Sequence, residues 1–175
     1  MQIVLQDTSV VVKAAAIDTL FHTGDYSYIN ISGLSFEGAN MAGIFNRSGD
    51  HISVSHCNFN NIGGRAIHFW GTGDVMVDNV NTNNVLSCAI QITALKKENA
   101  TVKNCTIKNT GLFMGMGSFF DDMDYKAIVA TMANNVLIEN NNIDSTGLSG
   151  IQFQGSNVLV QHNFIDHYCL VLHDG

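Results

Sequence analysis

Apolar and polar positions alternate along this chain in a unit that returns about every 22 residues. Its clearest copy is NNVLIENNNIDSTGLSGIQFQG, which ends at Gly155. Two apolar residues at alternate positions (Val136, Ile138) lead into a polar corner, Glu139 to Asn142. One further apolar residue (Ile143), a polar loop and a small residue (Gly150) then precede a second alternating strand with Ile151 and Phe153. One such unit has too few apolar positions to close a core by itself, so the repeat predicts an array whose units stack.

With Ile138 as the anchor, the equivalent positions are Ile31, Val54, Val77, Val102, Ile138 and Val160, spaced by 23, 23, 25, 36 and 22 residues. Two residues earlier stand Ile29, Ile52, Val75, Ala100, Val136 and Val158, and five residues later Phe36, Phe59, Thr82, Ile107, Ile143 and Ile165. Thirteen residues after the anchor come Ile44, Ile67, Ile90 and Ile151, and the fourth copy reaches Ile128 only after an insertion. Each of these five isoleucines follows a small residue: Gly43, Ala66, Ala89, Ala127 or Gly150. Period-two β-branched residues, polar corners and the absence of proline predict many short strands. Residues 1–25 are irregular: Val10 to Val12 and Leu20 to Phe21 read as strands, Ala14 to Thr19 as a helical turn. Phe21 lies eight residues before Ile29, the spacing that separates Ile44 from Ile52, and so belongs to an earlier coil. Residues 26–175 carry the regular repeats, interrupted by an inserted loop at 111–126.

Three short strands per coil, stacked in parallel, make a right-handed parallel β-helix, an all-β solenoid here of about six regular coils. Two residues after the anchor stand Gly33, His56, Asn79, Asn104, Asn140 and His162, residue types that tolerate a positive φ, so this row is read as the left-handed residue of a corner. His56 and His162 are turn residues on this reading. The next row, Leu34, Cys57, Val80, Cys105, Asn141 and Asn163, should point inward, with the two asparagines passing amide hydrogen bonds from coil to coil. Cys57 and Cys105 fall two coils apart, roughly 10 Å, too far for a disulfide. Cys88 and Cys169 are farther apart still, so all four are read as free, mostly buried thiols.

The segments NVLIENNNI, NVLVQHNFI and HISVSHCNF, with the following GIQF, AIHF and AIQI, resemble the pectate-lyase-like right-handed β-helix repeat family over Tyr26 to Gly175. The resemblance implies the fold, a bacterial and secreted or periplasmic protein, and a polysaccharide groove floored by the outward face of the second strand. It does not choose a function, because that family holds lyases, hydrolases, epimerases, phage tailspikes and passive adhesins.

Composition narrows the partners. A 175-residue chain with 46% hydrophobic residues is one domain with a sizeable core. Its net charge of -7 argues against nucleic acid and against an anionic membrane surface. No apolar run approaches a bilayer span, and the opening MQIVLQDTSVVVK lacks the basic start and cleavage site of a signal peptide.

On the second strand the isoleucines and the residues two further on (Phe69, Ile92, Ala130, Phe153) point in, so the residues between point out. The outward rows read Phe45, His68, Gln91, Val129, Gln152 and Arg47, Trp70, Thr93, Thr131, Gln154, and the shortened last copy sends Val171 and His173 outward. Trp70 is the sole tryptophan, and an exposed indole offers a flat apolar face to a pyranose ring. His68, Arg47, Gln91, Thr93, Gln152 and Gln154 supply donors and acceptors for hydroxyls, and His173 and Asp174 continue the set at the end of the groove.

The insertion GLFMGMGSFFDDMDYK (111–126) should rise along one wall of that groove, and long inserts on regular solenoids are where function is added. Its carboxylates Asp121, Asp122 and Asp124 either serve as acid and base, or acid and nucleophile, on a glycosidic bond, or hold Ca²⁺, or form a solvated acidic tip. No cofactor is required on this reading, with Ca²⁺ the one candidate. A lyase would need a base from Arg47, Arg65 or Lys126. The tandem Asp121-Asp122 resembles the aspartates of β-helix polygalacturonases without that family's other motifs. The Asp-Pro-His-Glu signature of alginate epimerases is impossible in a proline-free chain. The expected function is therefore a carbohydrate-active protein that binds, and in the fuller reading cleaves, a polysaccharide as glycoside hydrolase or lyase. The alternative is a non-catalytic glycan-binding, adhesin or tailspike-like segment. The last coil lacks a polar cap, which predicts a chain that continues or that associates through its end.

Overall fold

A computed structural model describes residues 14–95, 97–115 and 124–172. The first coils contribute β1 (Thr19–His22), β2 (Ile29–Ser32), β3 (Ser35–Glu37), β4 (Ala42–Arg47), β5 (Asp50–Ser55) and β6 (Asn58–Ile62). They are followed by β7 (Arg65–Trp70), β8 (Gly73–Asp78), β9 (Asn81–Val85), β10 (Ile90–Thr93), β11 (Glu98–Lys103) and β12 (Thr106–Thr110). The last coils contain β13 (Ile128–Glu139), β14 (Asn142–Thr146), β15 (Ile151–Gln161) and β16 (Phe164–Asp166). All the pairings between these strands are parallel, as in a β-helix.

Three rows of strands line the solenoid. The anchor row runs β2, β5, β8, β11 and the C-terminal halves of β13 and β15. Ile31, Val54, Val77, Val102, Ile138 and Val160 stand in register along it, as the repeat predicts. The middle row, β3, β6, β9, β12, β14 and β16, aligns Phe36, Phe59, Thr82, Ile107, Ile143 and Ile165. The isoleucine row, β1, β4, β7, β10 and the N-terminal halves of β13 and β15, aligns Phe21, Ile44, Ile67, Ile90, Ile128 and Ile151. In the last two coils the isoleucine strand runs without a break into the next anchor strand, joining both rows in one ten-stranded sheet. Ile44, Ile67, Ile90, Ile128, Val54, Val77, Ile138, Phe59, Ile107 and Ile143 are fully buried, and each column of them is a continuous strip of core. Burying a side chain of this size is worth about 1.5–3 kcal/mol.

Three corners close each coil, and each has its own left-handed residue. The predicted row Gly33, His56, Asn79, Asn104, Asn140, His162 has φ between 52 and 70° throughout. Two more rows are left-handed at the other corners, with φ between 47 and 76°: Tyr28, His51, Asp74, Asn99, Asn135, Asn157, and Gly38, Asn61, Asn84, Asn109, Ser145, His167. Asparagine predominates because its short amide lowers the cost of this conformation and bonds to the coil below. Asn157 donates to Asn135 at 2.7 Å, Asn135 to Asn99 at 3.3 Å, and Asn99 to Asp74.

The inward asparagine pair is also present. Asn141, 2% exposed, accepts from the Cys105 backbone N–H at 3.0 Å and donates to the Val102 carbonyl at 3.1 Å and to Asn163 Oδ1 at 2.9 Å. Asn163 passes the chain on to the Ile138 carbonyl. A second buried amide was not foreseen: Asn46 stands inward where later coils have Phe69, Ile92 and Ala130. Its Nδ2 donates to Thr23 Oγ1 at 2.6 Å, and its Oδ1 accepts from Thr72 Oγ1 at 2.8 Å and the Gly49 N–H at 3.1 Å.

Several expectations are corrected. Ala14 to Thr19 forms no helical turn; Thr19 opens β1 and pairs with Ala42, so sheet pairing overrides the local alanine propensity. Leu34, in the inward row of the first regular coil, is 44% exposed because its coil is the first in that row. All four cysteines are free, as expected, but Cys169 is exposed. Burial pushes the Cys105 thiol up to about 12. Phe153, aligned with buried Ala130, is 51% exposed in the last coil. Val10 to Val12 lie outside the described residues.

Asn141→Ala leaves the Cys105 N–H without its buried acceptor. It is expected to lower unfolding free energy by about 2–3 kcal/mol in a guanidinium titration, and Asn163→Ala, at a half-exposed position, by less.

Candidate functional site

The outward face of the isoleucine row is built as the alternation requires, but it is open only in part. His22, Phe45 and His68 stand in register on β1, β4 and β7, with Arg47 and Trp70 paired one step farther along β4 and β7. The His22 and Phe45 rings stack at 5.1 Å with an interplanar angle of 7°, and Phe45 and His68 lie 4.9 Å apart at 33°. The edge of His68 meets Trp70 at 6.4 Å and 82°. Trp70 is 39% exposed, His22 and Arg47 are exposed, and Phe45 and His68 are half-buried. Neighbouring strands are about 4.8 Å apart, so these rings pave roughly 10 Å of the solenoid's length. His22 was not identified from the sequence, although a signal was there: Phe21 aligns with Ile44, which places His22 next to Phe45.

At the two coils that flank the insertion the same face is closed. Gln91 and Thr93 on β10 are each 1% exposed, and Val129 and Thr131 on β13 are 0% and 2% exposed. Gln91 and Thr93 stand in register with His68 and Trp70, yet they are not on an open floor, which corrects their expected place on an exposed groove beside Trp70. The Thr93 and Thr131 hydroxyls lie 3.4 Å from one another. Exposure returns at β15, where Gln154 is exposed and Gln152 is half-buried with its Oε1 accepting from Lys126 Nζ at 2.6 Å. The expected continuous groove is thus two separate surfaces, an aromatic strip over β1, β4 and β7 and a glutamine pair on β15.

Of the acidic cluster, Asp124 lies within the described residues; Asp121 and Asp122 lie outside them, as do His173 and Asp174. Asp124 is 3% exposed, accepts a hydrogen bond from the Ser87 hydroxyl and stands 3.6 Å from the Arg65 guanidinium. It is therefore held at the corner where β7 begins and is not a solvated loop tip. Three residues of strand, roughly 10 Å, separate Arg65 from His68, so this carboxylate is anchored away from the aromatic strip. Lys126 is 7% exposed. Two of the three bases considered for a lyase, Arg65 and Lys126, are thus engaged in polar contacts, and Arg47 is the exposed one. Among the described residues no three His, Cys, Asp or Glu side chains gather as a metal site.

These features define a class: a parallel β-solenoid whose one side carries stacked, partly exposed rings. A family model described as the right-handed β-helix region matches residues 16–122, and the chain belongs to that family. The coils beyond the insertion keep the same register, Val102 to Ile138 to Val160. No curated protein and no solved structure matches the chain.

Asp124→Ala takes the carboxylate from a largely buried guanidinium. It is expected to destabilise the fold by about 3 kcal/mol in chemical denaturation, whereas Asp25→Ala, at an exposed site, changes stability by less than about 0.5 kcal/mol.

Proposed function

We propose that this protein binds a polysaccharide along the aromatic strip over β1, β4 and β7. The observation that carries the reading is the run of stacked rings, His22, Phe45 and His68, ending on a tryptophan that keeps 39% of its surface in solvent. Flat apolar rings receive the C–H faces of sugar rings, while the exposed His22 imidazole and the Arg47 guanidinium bond hydroxyl or carboxylate oxygens at the edges. Binding is favoured over cleavage because the one described carboxylate of the predicted acidic cluster, Asp124, is committed to Ser87 and Arg65.

Affinity electrophoresis against neutral and uronic-acid polysaccharides, with products followed by mass spectrometry, tests the proposal. Retention by at least one polysaccharide is expected, weakened about tenfold or more in Trp70→Ala, with no product. Undiminished retention in Trp70→Ala, or none with any polysaccharide, overturns the strip. Unsaturated ends would make the protein a lyase and direct attention to Arg47, and saturated oligosaccharides would make it a hydrolase and direct it to Asp121 and Asp122.

A second reading, a structural segment of the adhesin or tailspike kind, is favoured by the last coil. There Phe153, Leu159, Phe164 and Leu170 are each more than half exposed along β15, β16 and the residues after them. Light scattering separates the two readings: a monomer at micromolar concentration supports the binding reading alone, and a dimer or trimer dispersed by Phe164→Asp supports association through this coil.

A further inference from the structure

A second concave surface lies at the corner between the middle row and the isoleucine row, away from the aromatic strip. Gly63, which follows the fully buried Ile62 at the end of β6, lies in a groove of about 510 Å³ that Leu86 and Phe113 line from the later coils and Ala15 and Asn40 from the earlier ones. That volume falls within the range of small-ligand sites, roughly 300–1,000 Å³. Phe113 comes from the first residues of the insertion and is 63% exposed, so its ring is presented to solvent and contributes little to the core. The groove is bare at Gly63 for a steric reason. A Cβ at Gly63 would stand 2.6 Å from the Asn40 carbonyl oxygen, so only glycine fits at this position.

Along one edge run Asn61 and Asn84, adjacent members of a left-handed corner row, with φ of 55° and 56°. Asn84 Nδ2 donates to Asn61 Oδ1 at 3.2 Å. This bond orients both amides and leaves, among the described residues, the Asn61 Nδ2 donor and the Asn84 Oδ1 acceptor without a protein partner. The groove thus offers one donor and one acceptor, held by a shared hydrogen bond, beside the bare Gly63 and an exposed ring. The described side chains that line it are all uncharged.

We infer that this groove is a binding site for a neutral sugar ring. An anionic ligand would find no described cation in the lining to pair with its charge. A purely apolar group would cover the Asn61 donor and the Asn84 acceptor without satisfying them, at a cost of about 1–3 kcal/mol for each buried group. A pyranose meets both demands: its C–H face lies on Phe113 and Leu86 beside the bare Gly63, and its hydroxyls, each both donor and acceptor, bond the amide pair. The inference stands on its own lining residues, so it does not depend on the aromatic strip.

The test is ¹⁵N-resolved NMR of the whole chain titrated with glucose, galactose, mannose and N-acetylglucosamine. At least one of the four is expected to shift the amide signals of Gly63, Asn84 and Leu86 with a millimolar Kd. Phe113→Ala and Asn61→Ala should each weaken that binding about tenfold, whereas Trp70→Ala leaves it unchanged. Phe113 is exposed, so its truncation leaves the core intact, whereas Asn61 holds a φ of 55° at which alanine is strained, and the remainder of the spectrum reports whether each variant keeps the fold. Absence of shifts at these positions with all four sugars overturns the inference, as do shifts that persist unchanged in Phe113→Ala. Binding of p-cresol at these positions when no sugar binds also overturns it, and reassigns the groove to an apolar side chain of a protein partner. Loss of polysaccharide binding in Trp70→Ala with the sugar shifts intact would separate the two surfaces.

Discussion

Every coil must return the backbone to the same register above the one before it, because the parallel ladder is the only way these short strands satisfy their N–H and C=O groups. A strand of three to six residues cannot hold itself, and each coil gains its hydrogen bonds only from its two neighbours. The return is made by the corners. Three left-handed residues per coil bend the chain through its turns, and the repeated asparagines at those places lower the conformational cost and tie one corner to the next through their amides. Once the corners repeat, the inward columns of isoleucine, valine and phenylalanine follow without further instruction, since equivalent side chains are brought within one strand spacing of each other.

The same constraint explains how polar groups are handled inside. A stacked solenoid has no room to turn a buried amide toward water, so Asn141 and Asn46 are satisfied along the stack, by a backbone group or hydroxyl of the next coil. Arg65 and Asp124 use a different route. There an ionised pair closes the root of the insertion against the coil below, a contact that excludes the carboxylate from solvent chemistry. The insertion is therefore tied to the regular coils at its second end, while its first end contributes Phe113 to a groove on the corner face. Regular coils supply the scaffold and the aromatic strip, and the insertion adds Phe113 to the second surface on which a ligand is proposed to bind.

Much of this was readable from residue spacing. The anchor, middle and isoleucine columns, the His56 and His162 turn positions and the inward asparagine pair all follow from period two and a repeat near 22 residues, and the register pairs show them where the spacing put them. The other two left-handed rows carried an equally regular signal, with Asn99, Asn135 and Asn157 always three residues before the anchor. They escaped notice because polar residues between strands read as ordinary loop until the corner geometry is known. The site was legible only in direction. Alternation sends His68, Trp70, Gln91 and Thr93 to the outward face, but alternation does not measure exposure, and at β10 and β13 that face is buried.

The sequence by itself determined the fold and its register, because a solenoid is specified by local periodicity and by nearest-neighbour contacts that repeat. It also determined that Trp70 faces away from the core, which strand alternation alone decides. The tertiary structure alone decided which outward residues stay in contact with solvent, that Asp124 belongs to Arg65 and Ser87, and that Phe113 and the Asn61–Asn84 pair meet across a groove. Those outcomes depend on residues from different coils and from the insertion arriving at one place, and no spacing along the chain encodes that meeting.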